Sequence, residues 1–158
     1  MINKKTEISD VDNQLILSSK IFRGVSAEDL GHLIAECDLI TVLSNQTLIQ
    51  LNTRNEYFYV VLTGSLNVYL DNEINEHYIS LLPGDCAGEL SILDGAYTSA
   101  LVVAASDSRL LRINEETLWR LVRASHGFAR NLLFLLAKRI RNDNVAIIDG
   151  IRWQHEGS

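Results

Sequence analysis

Gly84-Asp85-Cys86-Ala87-Gly88-Glu89-Leu90-Ser91-Ile92-Leu93-Asp94-Gly95-Ala96-Tyr97-Thr98-Ser99-Ala100-Leu101-Val102-Val103-Ala104 is the stretch on which the fold turns. From its residue types it reads as strand, glycine turn, one turn of helix, loop and strand. A turn of this kind leaves the first helical N–H groups without intrahelical partners, which is the raw material of an anion site. Gly88 allows the backbone to approach a ligand closely. Glu89 carries an acceptor for ligand hydroxyls, or else it caps the turn; residue type alone leaves both readings open.

Outward from this stretch, residues 38–113 read as short strands. Leu39 to Leu43, Thr47 to Ile49 and Tyr57 to Leu62 are rich in β-branched and aromatic residues. Leu66, Val68 and Leu70 alternate with Asn67 and Tyr69, which is the period of a strand. Asp71-Asn72 reads as a turn before a strand over Tyr78 to Leu82, and Pro83-Gly84-Asp85 as a tight turn. Ala100 to Ala104 and Arg109 to Ile113 complete the set. Closely spaced strands without intervening long helices predict an antiparallel sandwich or barrel.

Helical signals flank the strands. Residues 1–13 are expected to be loosely ordered. Ser26 is a candidate N-cap for a short helix carrying Leu30, Leu33 and Ile34 on one face. Asn114, followed by Glu115 and Glu116, is the N-cap signal for a helix carrying Leu118, Leu121 and Val122. A longer helix is expected over about residues 126–149, with a tail at 151–158 holding Trp153 and His155. Leu133, Leu136, Ile140, Ile147 and Ile151, with Asn144 in the gap, form a coiled-coil-like seam; a lone polar residue such as Asn144 can set register between two helices. A helix packed on its own domain is the other reading of that seam.

The bulk composition bounds the function. The 158 residues suggest one domain, placed here at 14–150, able to bury a core without staples. A net charge of −6 disfavours a nucleic-acid footprint over the whole chain. Lys138, Arg139 and Arg141 cluster, and read as a solvated helix face. The N-terminus lacks the apolar stretch of a signal peptide, and no apolar run has the length of a membrane span. Cys37 and Cys86 have no metal-ligand spacing and read as buried thiols in a reducing cytoplasm. No catalytic triad order, paired-carboxylate motif, Walker loop or metal-ligand cluster occurs, and His32, His77, His126 and His155 are scattered. The reading is a non-enzyme with no metal site and no required cofactor.

The opening stretch resembles the phosphate-binding cassette of cyclic nucleotide-binding domains, as in catabolite activator proteins and protein kinase A regulatory subunits. The family pattern is Gly-Glu-Leu-Ala-Leu, a short loop, then Arg-Ala-Ala-x-Val-x-Ala. Gly88-Glu89-Leu90-Ser91-Ile92 matches the first part and Ser99-Ala100-Leu101-Val102-Val103-Ala104 the last, with the loop length unchanged. Phe58-Tyr59-Val60-Val61-Leu62-Thr63-Gly64 resembles the family's strand and turn ahead of the cassette, and Pro83-Gly84-Asp85 sits where the family has Gly-Asp.

The resemblance spans about residues 15–145. It implies a mainly β fold: an antiparallel, jelly-roll-like β-roll with short N-terminal helices and a long C-terminal helix. It further implies a cytoplasmic regulatory module that senses a ligand, with cyclic AMP or cyclic GMP as the candidate. Gly88, Glu89, Leu90, Ser91, Thr98, Ser99 and Ala100 would line the site. Asp143 and Asn144 fall where bacterial relatives place side chains that meet the base. The C-terminal helix would pair with its twin in a homodimer and carry the signal.

Three departures qualify this. Asn45 and Asn52 stand where the family has glycine; asparagine tolerates positive φ, so both turns are expected to survive. Thr98 stands where the family has its phosphate-binding arginine. Losing a charge-assisted bidentate contact, about 1.5–3 kcal/mol, weakens a cyclic nucleotide by roughly tenfold to a few hundredfold. Arg54, Arg109 and Arg112 are the candidates to replace it. The alternatives are a ligand-free dimerisation or docking module, or the input domain of a longer transcription factor or diguanylate cyclase. A helix-turn-helix needs roughly another 60–80 residues after the long helix, so none is expected in this chain.

Overall fold

The computed structural model describes residues 7–70 and 79–156, the side chains of 142–156 excepted. The Asp71-Asn72 turn, Tyr78 and His77 lie outside the described residues. So do the side chains of Asp143, Asn144, Ile147, Ile151, Trp153 and His155.

Among the described residues eight strands form the body: β1 (Asp38–Val42), β2 (Thr47–Ile49), β3 (Tyr57–Thr63), β4 (Leu66–Tyr69), β5 (Ile79–Leu81), β6 (Cys86–Ala87), β7 (Leu101–Ala104) and β8 (Ser108–Asn114). They make two four-stranded antiparallel sheets, ordered β1-β8-β3-β6 and β2-β7-β4-β5. The helices described beside them are α1 (Asp10–Ser18), α2 (Ala27–Ala35), α3 (Glu89–Asp94), α4 (Glu115–Ala124) and α5 (His126–Glu156). This is the mainly β roll with flanking helices that the sequence implies.

β3 is the strand that lacks a polar face. Tyr59 and Val61 point between the sheets, where Ile40, Val42, Ile49, Leu66, Val68, Val102 and Leu110 meet them. Phe58, Val60 and Leu62 point the other way, into a second cluster built by α1, α2, α4 and α5. Both faces of the strand are buried, so the run from Tyr57 to Leu62 is continuously apolar. Phe22 and Phe128 anchor α5 to this second cluster, with ring centroids 5.2 Å apart. Asn131 of α5 adds hydrogen bonds to the carbonyls of Ile21 and Arg23, at 2.8 and 2.9 Å.

The expected loose N-terminus is overturned for residues 10–13. They form the first turn of α1, because Ser9 and Asp12 make a capping box across the N-cap. Asp12 is buried and pairs with Arg109 of β8 at 2.8 Å, tying α1 to the roll. Ser26 does occupy the N-cap of α2, but its side chain makes no capping hydrogen bond. Asn114 caps α4 as expected, accepting from Thr117 N–H at 2.8 Å. α5 continues to Glu156, so the helix end expected near 149 is corrected and the backbone of Trp153 and His155 is helical. Asn45 and Asn52 adopt φ of 70° and 57°, the only positive-φ residues other than glycine among the described residues. Asparagine replaces glycine at both turns without changing the backbone they need.

Candidate functional site: the cassette between β6 and β7

Gly88 opens the cassette at φ 90°. A Cβ there would lie 2.5 Å from the Tyr57 carbonyl oxygen and 2.7 Å from the Asn55 amide nitrogen, so glycine is required both by φ and by space. Asn55 ties the turn together. Its Nδ2 donates to the carbonyls of Tyr57 and Gly88, at 2.8 and 3.2 Å, and to Ser91 Oγ at 3.2 Å. α3 follows and ends at Gly95, φ 68°, whose N–H donates to Ser91 O. At under two turns, α3 puts little aligned dipole behind the cassette, which weakens the helix-terminus anion site read from the sequence.

Glu89 is 2% exposed. Its Oε1 lies 3.4 Å from Nη1 of Arg139 on α5, while its Oε2 is buried with no hydrogen-bond partner. Burial pushes the Glu89 carboxyl up; Arg139 and the residue's own backbone N–H pull back against it without cancelling the rise. Arg139 also donates from Nη2 to the Cys86 carbonyl at 2.7 Å. One guanidinium therefore joins α5 to both β6 and α3. The sequence reading placed Arg139 on a solvated face; only its neighbours Lys138 and Arg141 are exposed. The Cys86 thiol is buried, and burial pushes it far up, with Glu89 adding to the effect, so it stays protonated.

Thr98 is held against the β2–β3 connection. Its hydroxyl donates to Gln50 O and accepts from Thr53 N–H at 3.0 Å. Its backbone N–H donates to Thr53 O at 2.8 Å, and its carbonyl accepts from Asn52 N–H at 2.9 Å. Asn52 makes this contact while holding a positive φ of 57°. Ser91 is buried, Ala100 half-buried against the inter-sheet core, and Ser99 and Leu90 are exposed. The three arginines offered as substitutes do not fill the gap. Arg109 is held by Asp12, and Arg112 by Asp38 at 3.1 Å with its guanidinium over the Tyr57 ring. Arg54 is exposed.

On α5, Leu133 and Ile140 are 68% and 59% exposed, and Phe134, missed by the sequence reading, is 75% exposed. Leu136 instead packs against the domain's own helical core. The described part of the unpartnered stripe is therefore Leu133, Phe134 and Ile140. Among the described residues no group of His, Cys, Asp and Glu could hold a metal ion, and no helix is long and apolar enough to cross a membrane.

The family model for the cyclic nucleotide-binding domain matches residues 39–125, from the second residue of β1 to just past α4. The chain belongs to this family. It is similar to the cyclic AMP receptor protein of Thermus thermophilus, 27% identical over 131 residues that cover 82% of this chain and 61% of that protein. It is also similar to the cAMP-dependent protein kinase regulatory subunit of Eremothecium gossypii, 30% identical over 93 residues, 59% of this chain and 19% of that protein. Among solved structures, the Thermus thermophilus catabolite activator protein superposes with a TM-score of 0.72 at 26% identity, covering 82% of this chain and 62% of the other. The chain thus spans about three fifths of the Thermus relatives and about one fifth of the kinase subunit. Within the matched domain lies the Thr98 clasp, and Arg139, outside the matched residues, contacts Glu89 inside them.

Proposed function

We propose that this domain is a regulatory, non-catalytic sensor whose cassette reports its occupancy through α5. The observation that carries this reading is the contact of Arg139 with both Glu89 and the Cys86 carbonyl. A ligand that engages Glu89 changes the partner set of a side chain rooted on α5, so differential contacts at the cassette bias the helix position. Cyclic mononucleotides bind weakly here, about tenfold to a few hundredfold below a cassette bearing arginine at position 98, because Thr98 supplies no charge. The exposed Leu133, Phe134 and Ile140 support pairing of α5 with its twin in a homodimer. Two buried, unbridged thiols suit a cytoplasmic setting, and a longer signalling chain would receive the signal from the end of α5.

Calorimetry of the chain against cyclic AMP, cyclic GMP and cyclic di-GMP, with Thr98→Arg alongside, tests the sensor. Weak heats that strengthen in the variant support it. Light scattering of Ile140→Asp tests the pairing: a dimer that persists in the variant rules out this stripe as the seam. A second reading, a ligand-free docking module, is favoured by the commitment of the Thr98 hydroxyl to Gln50 and Thr53. Silence of every nucleotide in both proteins selects it.

A further inference from the structure

We infer that the cassette selects an uncharged, hydroxyl-bearing ligand such as a nucleoside over the corresponding cyclic phosphate, and that Thr98 is the residue that sets this preference. The inference rests on the sensor reading and names its ligand class.

Three observations converge on it. The first is a proton count. A threonine hydroxyl has one proton to donate, and that of Thr98 goes to Gln50 O while a lone pair takes Thr53 N–H. Nothing of that side chain is left to offer a phosphate oxygen. The second is a charge count. Two ion pairs flank the cassette, Lys20 with Asp85 ahead of it and Arg139 with Glu89 inside it, and each cancels itself. Arg54 on the facing connection is exposed, where water screens it. Among the described residues no inward-facing cation is left over, so a phosphate would bring an uncompensated negative charge beside a buried carboxylate. A neutral ligand leaves the balance at zero. The third is the Glu89 Oε2 atom, an acceptor on a side chain only 2% exposed, with no partner. It calls for an O–H or N–H donor and repels an anion.

A nucleoside and its 3′,5′-cyclic phosphate share the base and the 2′-hydroxyl and differ in the phosphate, so the pair isolates the point at issue. Calorimetry of the whole chain with adenosine, guanosine, cyclic AMP and cyclic GMP is expected to give tighter binding of at least one nucleoside than of its cyclic phosphate, by roughly tenfold or more. Thr98→Arg is expected to reverse that order, and Glu89→Gln to lose the nucleoside. Tighter binding of the cyclic phosphate by the native chain would overturn the inference and leave the sensor reading standing. No heat from any of the four compounds would overturn both and leave the docking module.

Discussion

Arg139 of α5 contacts Glu89 of α3 at 3.4 Å and the Cys86 carbonyl of β6 at 2.7 Å, so one side chain bridges the long helix and the cassette. Removing it strands a carboxylate whose other oxygen already lacks a partner. Arg139→Ala is therefore expected to destabilise the domain by about 1–3 kcal/mol in urea unfolding. Adding Glu89→Gln should recover part of that loss, because the buried charge goes with it. Strict additivity in the double variant would mean the two groups do not act as a pair.

Thr98 is the pin of a clasp between the cassette and the β2–β3 connection. Thr98→Val keeps the shape but leaves Thr53 N–H without its partner, while Gln50 O keeps only the Thr53 hydroxyl at 2.9 Å. A loss of about 1–3 kcal/mol is expected. Hydrogen exchange provides the local readout: the Thr53 amide should exchange faster in the variant, and unchanged protection there would count against the clasp.

The two glycines that bracket α3 differ in what surrounds them. At Gly88 an added Cβ meets the Tyr57 carbonyl oxygen at 2.5 Å, whereas at Gly95 nothing lies within 4 Å. Both have positive φ, so alanine costs roughly 1–2 kcal/mol at each from backbone strain alone. Gly88→Ala is expected to exceed Gly95→Ala clearly in thermal unfolding. Equal losses would show that the strand-to-helix turn can shift to make room.

Asn45 and Asn52 hold positive φ in tight turns. Asn→Gly at either position should change stability by a few tenths of a kcal/mol, whereas Asn→Val should cost roughly 1–2 kcal/mol, since a β-branched side chain is strained in that region. A harmless valine at position 52 would mean that the turn, and with it the Thr98 carbonyl contact, rearranges readily.

Asp12 and Glu89 impose opposite pH dependences. Burial pushes the Asp12 carboxyl up, but the hydrogen bond from Arg109 and those from Ser9 outweigh it and hold the group below its ordinary value. The unfolded chain then binds the extra proton, so this contribution is full above the ordinary carboxylate range and is lost as pH falls through the depressed folded value. Glu89 lies above its ordinary value, so the folded state holds the extra proton and stability declines as pH rises from the ordinary value through the raised one. Thermal unfolding across pH should lose its acid-side decline in Asp12→Asn and its decline above the ordinary carboxylate range in Glu89→Gln. A Glu89→Gln profile parallel to that of the native chain would show that Glu89 titrates as an ordinary carboxylate.

What the sequence determined by itself was whatever depends on neighbours along the chain. The period of two from Leu66 to Val68, which ends before the exposed Leu70, the Gly88-Glu89 turn and the tolerance of Asn45 and Asn52 for positive φ are local properties, and with the family pattern they specify the roll and its cassette. The Ser9-x-x-Asp12 capping signal is equally local, set within a polar segment. Tertiary structure alone decided which partners these side chains found. Arg139 and Cys86 are 53 residues apart in sequence, and Thr98 and Gln50 are 48 apart. Nothing in the spacing of a Lys-Arg-x-Arg run shows which of its members turns inward. That depends on the rotation of α5, set by Phe128 and Leu132 packing into the core at its first turns. The same rotation turned Leu136 inward and left Phe134 outward. The fold follows from local pattern because period and turn geometry are short-range; the chemistry of the cassette follows from packing, because a charge is neutralised by whatever the fold brings beside it.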